Sequence, residues 1–511
     1  MDKNKQFFLK KNIFLKHFFL VILIFLILLW QLQFYLNPKK IDNSYTRPNT
    51  AGLRAIFLKH FLYFYYYLGL YPLVPYITPI EYTEEGKINQ KITEPNLVLP
   101  IEYSKEGALN LLKNHGEIIH MDLENVILWG DNVKTLMFFP DVIIRGTAIN
   151  PSVKTFNALF FIFSLVLLSI SFYYIKKPLL GIILILLLGS NPYQLYEVYG
   201  NENLFGVHIS TLMILLAINL PFLLPKEKIK PRHLSLIAIS GIIMGTMAHI
   251  RMEILTLLAS CFLIYFFIPK TNIKNKILCC LIFLASFSLT EQMWVKYFDY
   301  KFTQAQKVVE SIGGNPFLYP ELRKNHHTIW HSILLGFSDF DTKYGYKWDD
   351  MTAYEYAAPI LNQRGVSLPE DKEVWSVLPE YQQIMKEKAI NQIKNDPVWY
   401  FNIIKNRINA LFEKTVPIGI NINYYFPKVM IPKIFLILSV IILIIFLIVS
   451  KKFILLKILL FSFPISMVTI LIQASNNTTN MSVFHIFTFA IYIYIFILLT
   501  AKKFLNLKNG S

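Results

Sequence analysis

The chain has 511 residues, 54% of them hydrophobic and 16% charged, with a formal net charge of +17. A soluble chain carries about a quarter charged residues. Here the apolar residues gather into blocks of about 15–21, the length that crosses a bilayer as a helix. That excludes a soluble enzyme and reads as an α-helical polytopic membrane protein with about ten spans. Three cysteines, Cys261, Cys279 and Cys280, all fall in apolar blocks, so neither a disulfide framework nor a zinc spacing is present.

Residues 1–36 comprise a basic start and a predicted helix at 14–36. The apolar run is longer than a signal-peptide core, and no small-residue cleavage site follows "WQLQFYLNPKK", so it reads as a retained first helix.

A long loop, 37–154, comes next. Its aromatic-rich segment 55–71 is helix-compatible and ends at Pro72 and Pro75. Tyr and Phe at this density suit the headgroup region, which predicts an interfacial helix lying on the bilayer surface. Further on, "SKEGALNLLKNHG" predicts a helix bracketed by Ser104 and Gly116.

Six spans are predicted at 155–175, 178–190, 206–224, 234–249, 253–268 and 276–294. A second long loop, 295–431, is too long for a bare connector. Within it Pro397 divides a helical tract in two, because proline removes a donor and clashes inside a helix. The second half carries Trp399, Phe401, Ile403, Ile404, Ile408 and Leu411 in a one-sided pattern. Three last spans are predicted at 432–450, 453–472 and 482–500, followed by a short tail to 511.

The location of the charge explains its sign. Lys3, Lys10, Lys176, Lys226, Arg232, Lys274, Lys451 and Lys502, with their basic neighbours, all fall on one side. The short loops on the other side, 190–205, 250–252 and 473–481, contain a single basic residue, Arg251. This is the positive-inside pattern. It predicts an inner (cytoplasmic) membrane protein with both termini cytoplasmic and both long loops periplasmic or extracellular. The basic excess is a topology signal, and a nucleic-acid partner is excluded.

Ionisable residues at the ends of spans are costly and mark sites or pairs. Glu197 and Glu202 stand between the third and fourth helices, His249, Arg251 and Glu253 at the turn between the fifth and sixth, and Glu291 near the end of the seventh. All are expected at the outer boundary. Arg251 and Arg145 are suited to gripping a phosphate through charge-assisted hydrogen bonds. In the first loop, Asp42, Asp122, Glu124 and Asp131 are carboxylates that can serve as general base toward an acceptor hydroxyl. For each of these the competing reading is an ordinary pair or a solvated loop acid.

The second loop holds "HHTIWHSILLGFSDFDTKYGYKWDD". His327 and His331 are four apart, a spacing that shares a helix face, yet no HExxH glutamate lies between them. Asp339, Asp341, Asp349 and Asp350 are hard oxygen ligands suited to a divalent metal, without the full calcium-loop spacing. No metal ligand is assigned. The histidines and Asp349 either contact a sugar or phosphate, or belong to satisfied loop packing. Gly241 and Gly245 form a GxxxG, which permits close helix approach.

The acid-bearing loop with its aromatic segment at 55–71, and the tract "AINQIKNDPVWYFNIIKNRINALF" before the last helices, resemble the GT-C superfamily of integral-membrane glycosyltransferases. The likeness is to bacterial protein mannosyltransferases and lipid A aminoarabinose transferases, and it covers the whole topology. It implies a transferase of the cell envelope that moves a sugar from a polyprenyl-phosphate donor to a glycan, lipid or protein acceptor on the outer face. Such chains carry paired acids directly after helix 1. Here Asp42 stands there alone, and Asp122 and Glu124 lie much further on. The resemblance implies a polyprenyl-phosphate sugar donor and no nucleotide site, with a divalent metal left open as a further cofactor.

An O-antigen ligase or polymerase is the rival enzyme, resting on Arg323, His326, His327 and His331 of the late loop. A transporter, or a non-catalytic envelope assembly protein, are rivals of a different class.

Overall fold

The computed structural model describes residues 3–37, 62–75, 81–82, 88–89, 102–121, 132–148, 151–176, 178–190, 192–200, 206–223, 229–250, 252–268, 271–316, 329–347, 349–366, 368, 375–376, 378–413, 418–420 and 429–431. The spans expected at 432–450, 453–472 and 482–500 lie outside these residues.

Helix α1 runs Lys3–Leu36, and a short helix α2 covers 62–68. Strands β1 (Leu73–Pro75), β2 (Glu81–Tyr82) and β3 (Ile88–Asn89) precede α3 (Lys105–Asn114), β4 (Ile119–Met121) and α4 (Phe139–Arg145). The apolar helices follow: α5 (Lys154–Tyr174), α6 (Pro178–Gly189), α7 (Gly206–Asn219), α8 (Pro231–Ala248), α9 (Thr256–Phe266) and α10 (Ile273–Ser311). The late loop adds α11 (Ile329–Gly336), α12 (Asp350–Gln363), α13 (Pro379–Asn395), α14 (Pro397–Glu413) and the hairpin β5 (Ile418–Ile420) with β6 (Val429–Ile431).

Among the described residues three helices are long and apolar enough to cross a membrane: Phe18–Leu36, Lys154–Tyr174 and Ile273–Ser311. They mark the chain as a membrane protein. Helix α5 buries Phe161, Leu165, Leu168 and Phe172 along one helical stripe and leaves Leu159 and Phe163 bare. Helix α1 exposes Phe18, Val21, Phe25 and Leu36, as a helix facing lipid does. The expected helices α6, α7 and α9 form but contain 12, 14 and 11 residues, less than a full crossing of about 20.

Helix α10 departs most from expectation. A span ending at 294 is predicted, yet the helix continues unbroken to Ser311. No proline or glycine lies between Ile273 and Ser311, and the first glycines after it are Gly313 and Gly314. Its polar second half has nothing to stop it.

Close approach of α8 to α10 follows from the GxxxG. A Cβ at Gly241 would stand 2.6 Å from the Phe283 carbonyl oxygen, and one at Gly245 would stand 2.8 Å from that of Phe287. Beyond this seam the Trp294 indole donates to the Thr246 hydroxyl at 3.1 Å.

Part of the first loop is welded to the second half of α10. Helix α2 buries Leu62, Tyr63, Phe64 and Tyr65. The Tyr65 and Tyr297 hydroxyls share a 2.9 Å hydrogen bond, and the Lys301 ammonium donates to the Gly69 carbonyl at 2.9 Å. Tyr71 packs on Phe298 and Phe302. Strands β1 and β4 pair antiparallel, with Val74 opposite His120, and Asn315 extends this pairing. The Met121 N–H donates to the Asn315 carbonyl at 3.1 Å, and the Asn315 N–H to the Ile119 carbonyl at 2.9 Å.

Local signals behave as their chemistry dictates. Ser104 caps α3 by accepting from the Gly107 N–H at 2.9 Å. Asp396 caps α14, directly before Pro397, by accepting from the Trp399 N–H at 3.1 Å. The late-loop helices α11 to α14 pack around Phe337, Tyr354, Tyr381, Met385 and Trp399.

Candidate functional site

Two polar constellations stand out. The first surrounds the C-terminal turns of α1. The segment after α4 doubles back to start α5, and Asp141 of α4 holds this corner. It is 6% exposed, and it accepts from the Thr155 hydroxyl at 2.7 Å, the Ser152 N–H at 2.9 Å and the Arg145 guanidinium at 3.1 Å. Thr155 is in turn 3.0 Å from the Tyr35 hydroxyl of α1. Arg145, with its side chain 41% exposed, is therefore oriented by a buried carboxylate.

One turn earlier on α1, the Gln31 amide donates to the Gly189 carbonyl at 3.0 Å and accepts from the Tyr199 hydroxyl at 3.1 Å. Tyr199 belongs to a π-helical turn, Tyr196–Gly200, a rare geometry that is frequent at functional sites. Its ring lies against Phe34 and Phe161. The same turn carries Glu197, 3% exposed. Asp141 reaches the end of α1 through Thr155 and Tyr35, and Glu197 is buried two residues before the Tyr199 that bonds Gln31. Sequence reasoning selected Arg145 and Glu197 but missed Asp141. The available signal was the lone acid of "FFPDVIIRG", 14 residues before Thr155 at the start of the apolar run.

The second constellation is in the late loop. His331, with its side chain 3% exposed, lies with Nδ1 2.6 Å from the Tyr381 hydroxyl and Nε2 2.8 Å from Asp350 Oδ1. A carboxylate only accepts, so Nε2 carries the proton, and in the neutral ring Nδ1 accepts from Tyr381. Burial pushes the Tyr381 phenol far above its ordinary range. This is a Tyr–His–Asp chain joining α13, α11 and α12, and its tyrosine is fully buried.

The neighbouring aspartates have separate tasks. Asp339 receives Arg407 Nε at 3.1 Å, and Arg407 also donates to the Gly336 carbonyl. Burial lowers the Arg407 pKa while Asp339 opposes that shift. Asp341 accepts from the backbone N–H groups of Lys343, Tyr344 and Tyr346 and from the Trp399 indole. Asp349 caps α12, accepting from the Met351 N–H at 3.1 Å. The four carboxylates considered for a divalent ion are thus held by an arginine, a turn, a helix terminus and a histidine. Among the described residues no group of three His, Cys, Asp or Glu side chains is placed to hold a metal ion.

Of the other expected site residues, Asp42, Asp122, Glu124, Asp131, Glu202, Arg251 and His327 lie outside the described residues, as do Arg323 and His326. Glu253 falls in a short 3-10 turn, Met252–Leu255, before α9. No protein family, curated protein or solved structure matches the chain.

Proposed function

We propose that the chain is an envelope glycosyltransferase with ten spans, cytoplasmic termini and both long loops on the outer face. It moves a sugar from a polyprenyl-phosphate donor to an outer-face glycan, lipid or protein. The observation that carries this reading is the corner beside the end of α1, where the buried Asp141 orients the half-exposed Arg145. A lipid phosphate at the headgroup level meets an oriented guanidinium there, and an oriented guanidinium grips phosphate well.

In the proposed reaction the acceptor oxygen attacks the anomeric carbon of the donor. The bond from that carbon to the phosphate oxygen breaks, and polyprenyl phosphate leaves with the electron pair. A carboxylate takes the acceptor proton. Asp42, Asp122, Glu124 and Asp131 are the carboxylates assigned to that step. Glu197, Arg145, Arg251, Glu202 and Glu253 are the residues assigned to binding the donor and acceptor.

The ligase-like alternative requires histidines of the late loop to meet substrate. His331 has both ring nitrogens engaged and its side chain 3% exposed, which favours the first reading.

The test is sugar transfer in proteoliposomes supplied with polyprenyl-phosphate sugar, read by release of polyprenyl phosphate. Arg145→Gln, Arg251→Ala, Glu197→Gln and single alanine replacements at Asp42, Asp122 and Glu124 are compared with the parent. Loss of about 10²-fold or more in one of the acid variants supports the reading. Full activity in all six overturns the site. Absence of transfer by the parent with any such donor favours an assembly protein or a transporter.

A further inference from the structure

Helix α4 is seven residues long and has two contrasting faces. Asp141 and Val142 are buried at 6% and 0% exposure, whereas the next two residues, Ile143 and Ile144, are each 68% exposed. The helix closes on Gly146 in the left-handed region (φ 68°), and a Cβ there would meet nothing within 4 Å. The tip therefore projects into open space with two adjoining isoleucines at its head.

Its attachment fixes its level. Asp141 bonds to Thr155 in the first turn of α5, and to the Ser152 N–H just before it. Helix α5 has 21 residues. At 1.5 Å each it is roughly 31 Å long, close to the thickness of the hydrocarbon core. Thr155 therefore lies at a hydrocarbon boundary. A seven-residue helix is only about 10 Å long, so its head stays within that distance of the boundary. Exposed apolar residues at this level, with an arginine in the last turn of the same helix, match a segment embedded at the junction of headgroups and acyl chains.

We infer that Ile143 and Ile144 form a tip inserted into the bilayer beside the entry of α5, with phospholipid as its occupant. The inference rests on α5 being a span and not on the transferase reading. It predicts that the loop after α2 and β4 does not float free over the membrane but is moored to it at this point.

The test uses the full chain in vesicles of phosphatidylcholine and phosphatidylglycerol. Spin labels are placed singly at Ile143→Cys, Ile144→Cys, Leu159→Cys and Glu310→Cys. Leu159 is an exposed position on the span itself, and Glu310 is an exposed position near the far end of α10. The unsubstituted chain, whose three cysteines are buried, sets the labelling background. Collision with oxygen is compared with collision with a water-soluble nickel complex. Labels at Ile143 or Ile144 that collide with oxygen several-fold more than with nickel, as at Leu159, support the inference. Ratios like that of Glu310 overturn it, and so does joint loss of both collisions, which reveals a covering protein surface. Water access at Leu159 itself overturns both the inference and the span on which it rests, whatever transfer activity the chain shows.

Discussion

The guanidinium of Arg407 and the carboxylate of Asp339 stand 3.1 Å apart, and each side chain is 1% exposed. The pair joins α14 to the turn after α11, across 68 positions of sequence. Removing one partner leaves a buried charge without its counter-ion, at a cost of about 3–5 kcal/mol. Asp339→Ala should therefore unfold the late-loop helices well below the parent's Tm. The double replacement Asp339→Leu with Arg407→Met should recover most of the loss, because a hydrophobic substitute removes both charges. Thermal unfolding in detergent reads both outcomes.

Tyr381→Phe deletes the hydroxyl that satisfies His331 Nδ1 inside the core. A buried acceptor left without its donor costs about 1–3 kcal/mol. Asp350→Asn should cost less, since the Asp350 side chain is 66% exposed and water can replace part of the bond. Protease sensitivity of the late loop should rank the two variants in that order. Sugar transfer at temperatures below either transition should stay near the parent's.

Acid sensitivity has an identifiable source at Asp341. Burial alone would raise its pKa, but three backbone N–H groups and the Trp399 indole together hold it below the ordinary 3.8. A depressed carboxylate contributes stability that is fully present above its unfolded pKa. That contribution is lost as pH falls through the lower folded value. Between pH 7 and 5 the contribution should be constant. Below about pH 4 the parent should lose stability more steeply than Asp341→Asn, as measured by unfolding midpoints across pH.

Gly245→Val should disturb the seam between α8 and α10. The Phe287 carbonyl oxygen and Thr290 Cβ would lie 2.8 and 2.9 Å from the new Cβ, and backbone does not yield cheaply. Overpacking of this kind costs about 1–3 kcal/mol. Gly146→Ala offers a contrast, because that position has open space and only its left-handed φ is strained. Detergent thermostability should fall further for Gly245→Val.

The helices were legible because apolar runs, prolines and capping residues act locally. Pro397 and Ser104 divide and start helices where their chemistry requires. Other features depended on distant partners. Arg407 sits in a tract whose apolar residues announce an amphipathic helix, but nothing nearby announces Asp339. His331 belonged equally to a ligand site or to packing until Tyr381 and Asp350 were placed beside it. Asp141 went unnoticed because a solitary loop acid has no periodicity, and its burial arises only when the chain turns back on Thr155. The helix end of α10 lies beyond its predicted span for the opposite reason. Hydropathy marks where a helix leaves lipid, whereas only a breaker marks where it stops.

That uninterrupted helix has a mechanical consequence. Its 39 residues make a rod roughly 58 Å long, with its apolar part among the other spans and its far part bonded to Tyr65 and Gly69. A tilt of about ten degrees, of the size that bilayer thickness imposes on spanning helices, swings the far end by about 10 Å. The rod is a lever, so what stands above the membrane answers to the thickness of the lipid below.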